Sequence, residues 1–159
     1  MTGPHPTRHR DGWSTRRSRT MGAGLVFLSA SGLAITLGPF HPGVQWALLA
    51  HAAIGALLTA PLAQYTWTHW VECRRFQFSH IVLLGYVSAV ALAACVASGL
   101  VVTWQGIFGI RTSWAWREAH LVSTYVLLGS ILPHVALLAL RLWRTSPAPR
   151  RYVWHVIGA

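Results

Sequence analysis

Four long apolar segments constrain this chain more than any other feature: roughly residues 21–39, 44–70, 79–104 and 119–143. Each supplies the roughly 20 apolar residues that a bilayer-spanning helix needs. Nothing between them alternates like a strand, and strands in lipid require a closed barrel. Charged residues make up only 10% of the chain, against about 25% in a typical soluble domain. The pattern predicts an all-α integral membrane protein, a bundle of four transmembrane helices.

The charges are placed as a membrane topology places them. All 13 basic residues are arginines. Arg8, Arg10, Arg16, Arg17 and Arg19 precede the first segment, and Arg74 and Arg75 lie between the second and third. Arg141, Arg144, Arg150 and Arg151 follow the fourth. Only Arg111 and Arg117 fall on the other side, and the first loop, "PFHPGVQ", carries no charge. The positive-inside rule then puts the N- and C-termini in the cytoplasm. Topology therefore accounts for the net charge of +10, and no nucleic-acid partner is expected. The "STRRSRT" before the first segment resembles a signal, but three further spans follow, so a retained first helix is expected.

Residues 1–20 read as a disordered basic cytoplasmic arm, 21–145 as the membrane domain, and 146–159 as a linker and an apolar stub. The stub reads as an interfacial segment or the start of a further helix. Tryptophans at the segment ends, such as Trp46, Trp70, Trp104 and Trp143, form an aromatic belt. The stretch 105–118 is longer than a tight turn and is expected along the outer membrane surface. Cys73 and Cys95 form no CxxC pair, and there is no CxxCH, so covalent c-type haem is not expected.

Ionisable side chains inside a span are costly and mark function by default. His120 and His134 are 14 residues apart in the fourth segment. That spacing corresponds to about 21 Å of rise and returns to within about 40° of the same face. His51 and His69 are 18 apart in the second segment, which is about 27 Å and five turns. The second and fourth helices of an up-down bundle run the same way. His51 and His120 then match in depth near the outside, and His69 and His134 toward the inside. Two cross-helix histidine pairs suit axial ligation of two haem irons. His80 lies on the inner side as well and is the alternative partner for His134. Gly55, Gly129 and Ser130 are candidate small residues beside a porphyrin. Arg74, Arg75, Arg111 and Arg117 are candidate partners for propionates. Pro133 is expected to kink the helix before His134.

The motifs "HAAIG" (51–55) and "EAHLVSTYVLLGSILPHVAL" (118–137) resemble those of bacterial four-helix di-haem cytochrome b domains. These include the membrane anchors of formate dehydrogenases and nickel hydrogenases. The nearest resemblance is to modules joined to multihaem c-type cytochromes, because the first helix has no histidine. The resemblance covers about residues 21–145 and places His51, His120 and His134 at ligand positions. Tyr65 stands where it expects the second ligand of helix two, so His69 or His80 must substitute, or one haem only is held. It implies haem b as cofactor and the bacterial inner membrane as location. Its expected partners are membrane lipid, quinone or quinol, and a periplasmic or membrane redox protein such as a multihaem cytochrome or a dehydrogenase.

The function expected is transmembrane electron transfer, as the electron-transfer subunit of a quinol-linked oxidoreductase. Glu118 and Glu72 lie near the two ends as candidate proton acceptors. The alternatives are a haem-free proton or metal-ion pathway, and a structural or assembly subunit of a respiratory or photosynthetic complex.

Overall fold

The computed structural model describes residues 16–109 and 111–145. Expectations for the residues before 16, and for the linker and stub from 146 onward, fall outside them. Four helices make up the described chain: α1 (Arg16–Leu37), α2 (Pro42–Cys73), α3 (His80–Ile107) and α4 (Trp114–Thr145). Each is long and apolar enough to cross a membrane. α2 and α4 have 32 residues each and extend about 48 Å. That exceeds a hydrocarbon core of about 30 Å, so their ends reach the interface or the helices tilt.

The boundaries have local causes. α2 opens on Pro42 behind an extended His41, whose Nδ1 accepts from the Gly43 N–H at 3.0 Å. Proline at the first helical position loses no bond that the helix needs. α3 opens on Ser79, whose Oγ accepts from the Val82 N–H at 3.4 Å, the usual N-cap contact. It stops at Phe108, ahead of Gly109 with φ of 67°, a left-handed turn that favours glycine. The Gln105 Oε1 then accepts from the Ser113 N–H at 3.0 Å and ties the start of α4 to the end of α3.

Two boundaries differ from the sequence expectation. α1 starts at Arg16, inside the stretch read as an irregular arm. Polar residues do not forbid a helix that is continuous with an apolar one. The outer stretch expected over 105–118 shrinks to a short link, because α3 runs to Ile107 and α4 starts at Trp114. Pro61 and Pro133 lie inside continuous helices, which membrane helices tolerate.

The packing is inverted relative to a water-soluble core. Leu37, Leu57 and Val90 are more than 70% exposed, and large apolar side chains cover the exterior. Among the described residues, the buried polar set is Ser31, Ser88, Ser98, Ser123 and Ser130. Small residues inside let helices approach closely where lipid, not water, is the solvent. α1 packs on α2 and α3 on α4, with the broader contact in the second hairpin; α2 meets α3 over a smaller area. The bundle is thus two helical hairpins with a slot between them.

Candidate functional site

The slot encloses a cavity of about 590 Å³ lined from all four helices. That lies within the roughly 300–1,000 Å³ typical of small-molecule and cofactor sites. Its walls are mostly Leu, Val, Ala and Gly, with His51 and His120 among them. Here the structure brings together the outer pair that the sequence placed at matched depth. Their ring centroids are 6.2 Å apart and the rings are nearly perpendicular, at 81°.

The second ring nitrogen of each histidine is already engaged. His120 Nδ1 lies 2.9 Å from the Cys95 carbonyl, and His134 Nδ1 lies 2.9 Å from the Ile81 carbonyl. A carbonyl only accepts, so each Nδ1 carries the proton and each Nε2 presents a lone pair. His51 Nδ1 lies 2.9 Å from Ser31 Oγ. The Ser31 hydroxyl donates to the Phe27 carbonyl at 2.7 Å, so His51 Nδ1 again donates. A hydrogen bond from the non-ligating nitrogen is the usual way in which a metal-binding imidazole is oriented. Ser123 and Thr124 donate to the His120 carbonyl at 3.0 and 2.8 Å and reinforce that turn.

Toward the inner end, His69 stacks on Tyr65 with centroids 5.9 Å apart, and its Nε2 is 3.6 Å from Cys73 Sγ. It lies within electrostatic range of His134 and Glu72. His80 is exposed, at the first residue of α3.

The small residues fall differently from the sequence expectation. Gly55 borders the cavity. Gly129 faces outward, where an added methyl would meet nothing within 4 Å. Ser130 is buried, but it pairs with Ser88 on α3 at 2.9 Å. Of the arginines, Arg117 borders the cavity and sits 4.0 Å from Glu118, with its side chain 64% exposed. Arg74 stacks over the Trp70 ring at 5.5 Å. No cluster of three or more His, Cys, Asp or Glu side chains suited to a metal occurs among the described residues.

Three glycines on neighbouring helices belong to the site: Gly32, which with Gly24, Ser31 and Gly38 reads from the sequence as a helix-packing residue or as room for a flat ligand, and Gly85 and Gly99, which the sequence did not single out. A methyl at Gly32 would lie 3.3 Å from His51 Cε1, one at Gly85 3.1 Å from His134 Cε1, and one at Gly99 2.9 Å from His120 Cε1. A signal for two of them was present. "ASGLAIT" (30–36) on α1 recurs as "ASGLVVT" (97–103) on α3, and Ala-His recurs at 50–51 and 119–120. The two hairpins therefore share one plan at the level of His51 and His120.

Fold and site together define a multi-pass membrane helical bundle with a histidine pair in an apolar slot. No protein-family model, curated protein or solved structure matches the chain.

Proposed function

We propose that this protein is a membrane-bound b-type cytochrome. On this reading it carries electrons across the bilayer between quinone or quinol and a redox partner protein. The observation that carries the reading is the His51–His120 pair, with both Nδ1 atoms engaged and an apolar slot around the rings. Two imidazoles sharing one metal through bonds of about 2.0 Å, with about 1.1 Å from each nitrogen to its ring centre, would have ring centroids up to about 6.2 Å apart. The observed 6.2 Å fits. So does the donor set, since haem iron readily takes two neutral imidazoles.

In this reading His51 and His120 hold the outer haem, and His134 with His69 holds the inner one. When bound, haem supplies a one-electron ferric/ferrous couple. The chain supplies the rest. Ser31 and the Cys95 carbonyl orient the outer imidazoles, and the Ile81 carbonyl orients His134. Leucines and valines around the slot exclude water. Arg117 at the outer rim is placed for a propionate. The arginine distribution supports cytoplasmic termini; the location on this reading is a bacterial inner membrane, with a multihaem c-type cytochrome or a dehydrogenase as the docked partner.

The test is a reduced-minus-oxidised spectrum of the chain purified from a haem-replete membrane, with haem quantified per polypeptide. A b-type spectrum with two haems per chain is expected. His51→Ala and His120→Ala should each reduce outer-site occupancy by more than about tenfold. A folded, colourless wild-type protein refutes the reading and favours a structural or assembly subunit.

A further inference from the structure

Each of the three histidines lies over a glycine of the neighbouring helix. His120 reaches the Cys95 carbonyl across Gly99 and His134 reaches the Ile81 carbonyl across Gly85, while His51 lies over Gly32 with its Nδ1 on Ser31 Oγ. In the two carbonyl contacts the glycine is four residues after the carbonyl. That is not a coincidence of composition. In an α-helix the N–H of residue i+4 bonds the carbonyl of residue i, and side chains i and i+4 lie above one another on one face. A side chain at i+4 shields that carbonyl from a neighbouring helix. Glycine opens it, and a flat imidazole can lie over the gap and donate to the second lone pair.

We infer that Gly32, Gly85 and Gly99 are positioning residues. Each forms a seat that locks its histidine as the Nδ1–H tautomer and leaves Nε2 as the ligating nitrogen. The seat belongs to the polypeptide alone; only the identity of what Nε2 binds rests on the cytochrome reading. The geometry also ranks the seats. The tightest approach is at Gly99, then Gly85, then Gly32, at 2.9, 3.1 and 3.3 Å. Contacts under 3.0 Å force a shift, whereas those at 3.3 Å need only a few tenths of an ångström of yielding. Alanine should therefore be worst at Gly99 and mildest at Gly32. At Gly106 an added methyl meets nothing within 4 Å, so Gly106→Ala is the control for glycine loss as such.

The experiment has two arms on the full chain in nanodiscs. In the first, the cofactor-free protein carries ¹⁵N-histidine, and NMR at alkaline pH reports which ring nitrogen bears the proton. His51, His120 and His134 should all appear as Nδ1–H. Gly99→Ala should release His120 alone to the Nε2–H form or a mixture, with His51 and His134 unchanged. If Gly99→Ala does not fold, Gly85→Ala makes the same prediction for His134 and Gly32→Ala for His51. The inference is overturned if the wild-type histidines are Nε2–H, or if the alanine variants keep them Nδ1–H.

In the second arm, hemin is titrated into each variant. Disturbing the partner of a ligating histidine typically weakens metal affinity about 10–100-fold. That loss is expected for Gly99→Ala and is absent for Gly106→Ala. Equal hemin affinity in Gly99→Ala and wild type overturns the positioning role. Correct tautomers with no hemin uptake by wild type would uphold the seats and overturn the cytochrome reading.

Discussion

Ser88 and Ser130 give a sharp test of how α3 is held against α4. Ser88 Oγ donates to Ser130 Oγ at 2.9 Å, and both residues are buried, at 7% and 5% exposure. The pair lies between the two histidine levels, so it sets the register that brings His120 to Gly99 and His134 to Gly85. Yet its energetic weight should be small. Ser88 also faces the Leu84 carbonyl at 2.8 Å, and Ser130 donates to the Val126 carbonyl at 2.8 Å. Removing either hydroxyl leaves no buried donor without an acceptor, so the large penalty for an orphaned polar group is not incurred. Serine to alanine also removes too little volume to open a cavity of consequence.

Interhelical side-chain hydrogen bonds in membrane proteins average about 0.6 kcal/mol in double-mutant cycles, with a maximum near 1.7. The Ser88→Ala/Ser130→Ala cycle should therefore give a coupling of about 0.6 kcal/mol, and each single variant should cost about 1 kcal/mol or less. The measurement is reversible unfolding in mixed micelles, with wild type, both singles and the double compared under one condition. A coupling above about 2 kcal/mol would refute the argument, since it would mean that the intrahelical acceptors do not satisfy the remaining serine. A coupling of zero would refute the contact itself.

Two further predictions address the sites. Gly55→Ala should bind haem as wild type does, because its methyl would meet only Leu28 Cδ2 at 3.7 Å; Gly55→Leu should fill the slot and lower haem content at least tenfold while helicity by circular dichroism stays unchanged, and normal haem loading of the leucine variant would refute the placement of the cofactor. His69→Ala should remove one of two haems whereas His80→Ala should remove none, read as haem per polypeptide; the opposite pattern would make His80 the inner ligand.

Most of the fold was legible because lipid imposes simple rules. Length and apolarity identify helices without knowledge of what packs on what. The outer histidine pair was legible for a related reason: helical rise converts residue spacing into depth, and parallel helices of a bundle share a depth scale. What the sequence hid was azimuth. Gly129 looked well placed for a cofactor by its position between two histidines, but its face points outward. Gly85 and Gly99 were not singled out, because only the packing shows that α3 lies under the rings of α4. The start of α1 was hidden too, because a helix continues into polar sequence wherever nothing stops it.

The hairpin repeat explains why the outer and inner ends differ. Gly32 and Gly99 are offset by 67 residues, and His51 and His120 by 69. Applied to the inner seat, the same offsets carry Gly85 to Ser18 and His134 to Tyr65. The first hairpin therefore lacks both halves of the inner seat, the glycine and the histidine, whereas it keeps both at the outer end. The two changes belong together physically, because a glycine gap has no use without an imidazole to fill it. An inner ligand from α2 must then come from outside the repeat, and His69, one turn beyond Tyr65 and stacked upon it, is the residue so placed. Its side chain lies against the Tyr65 ring and 3.6 Å from Cys73 Sγ in its own helix. The repeat supplies a glycine-backed imidazole from both hairpins at the His51–His120 level, and from the second hairpin alone at the His134 level. On the cytochrome reading, the inner haem should be the one lost first on dilution in detergent, and spectra followed through such a dilution should show a single-haem species retaining His51 and His120.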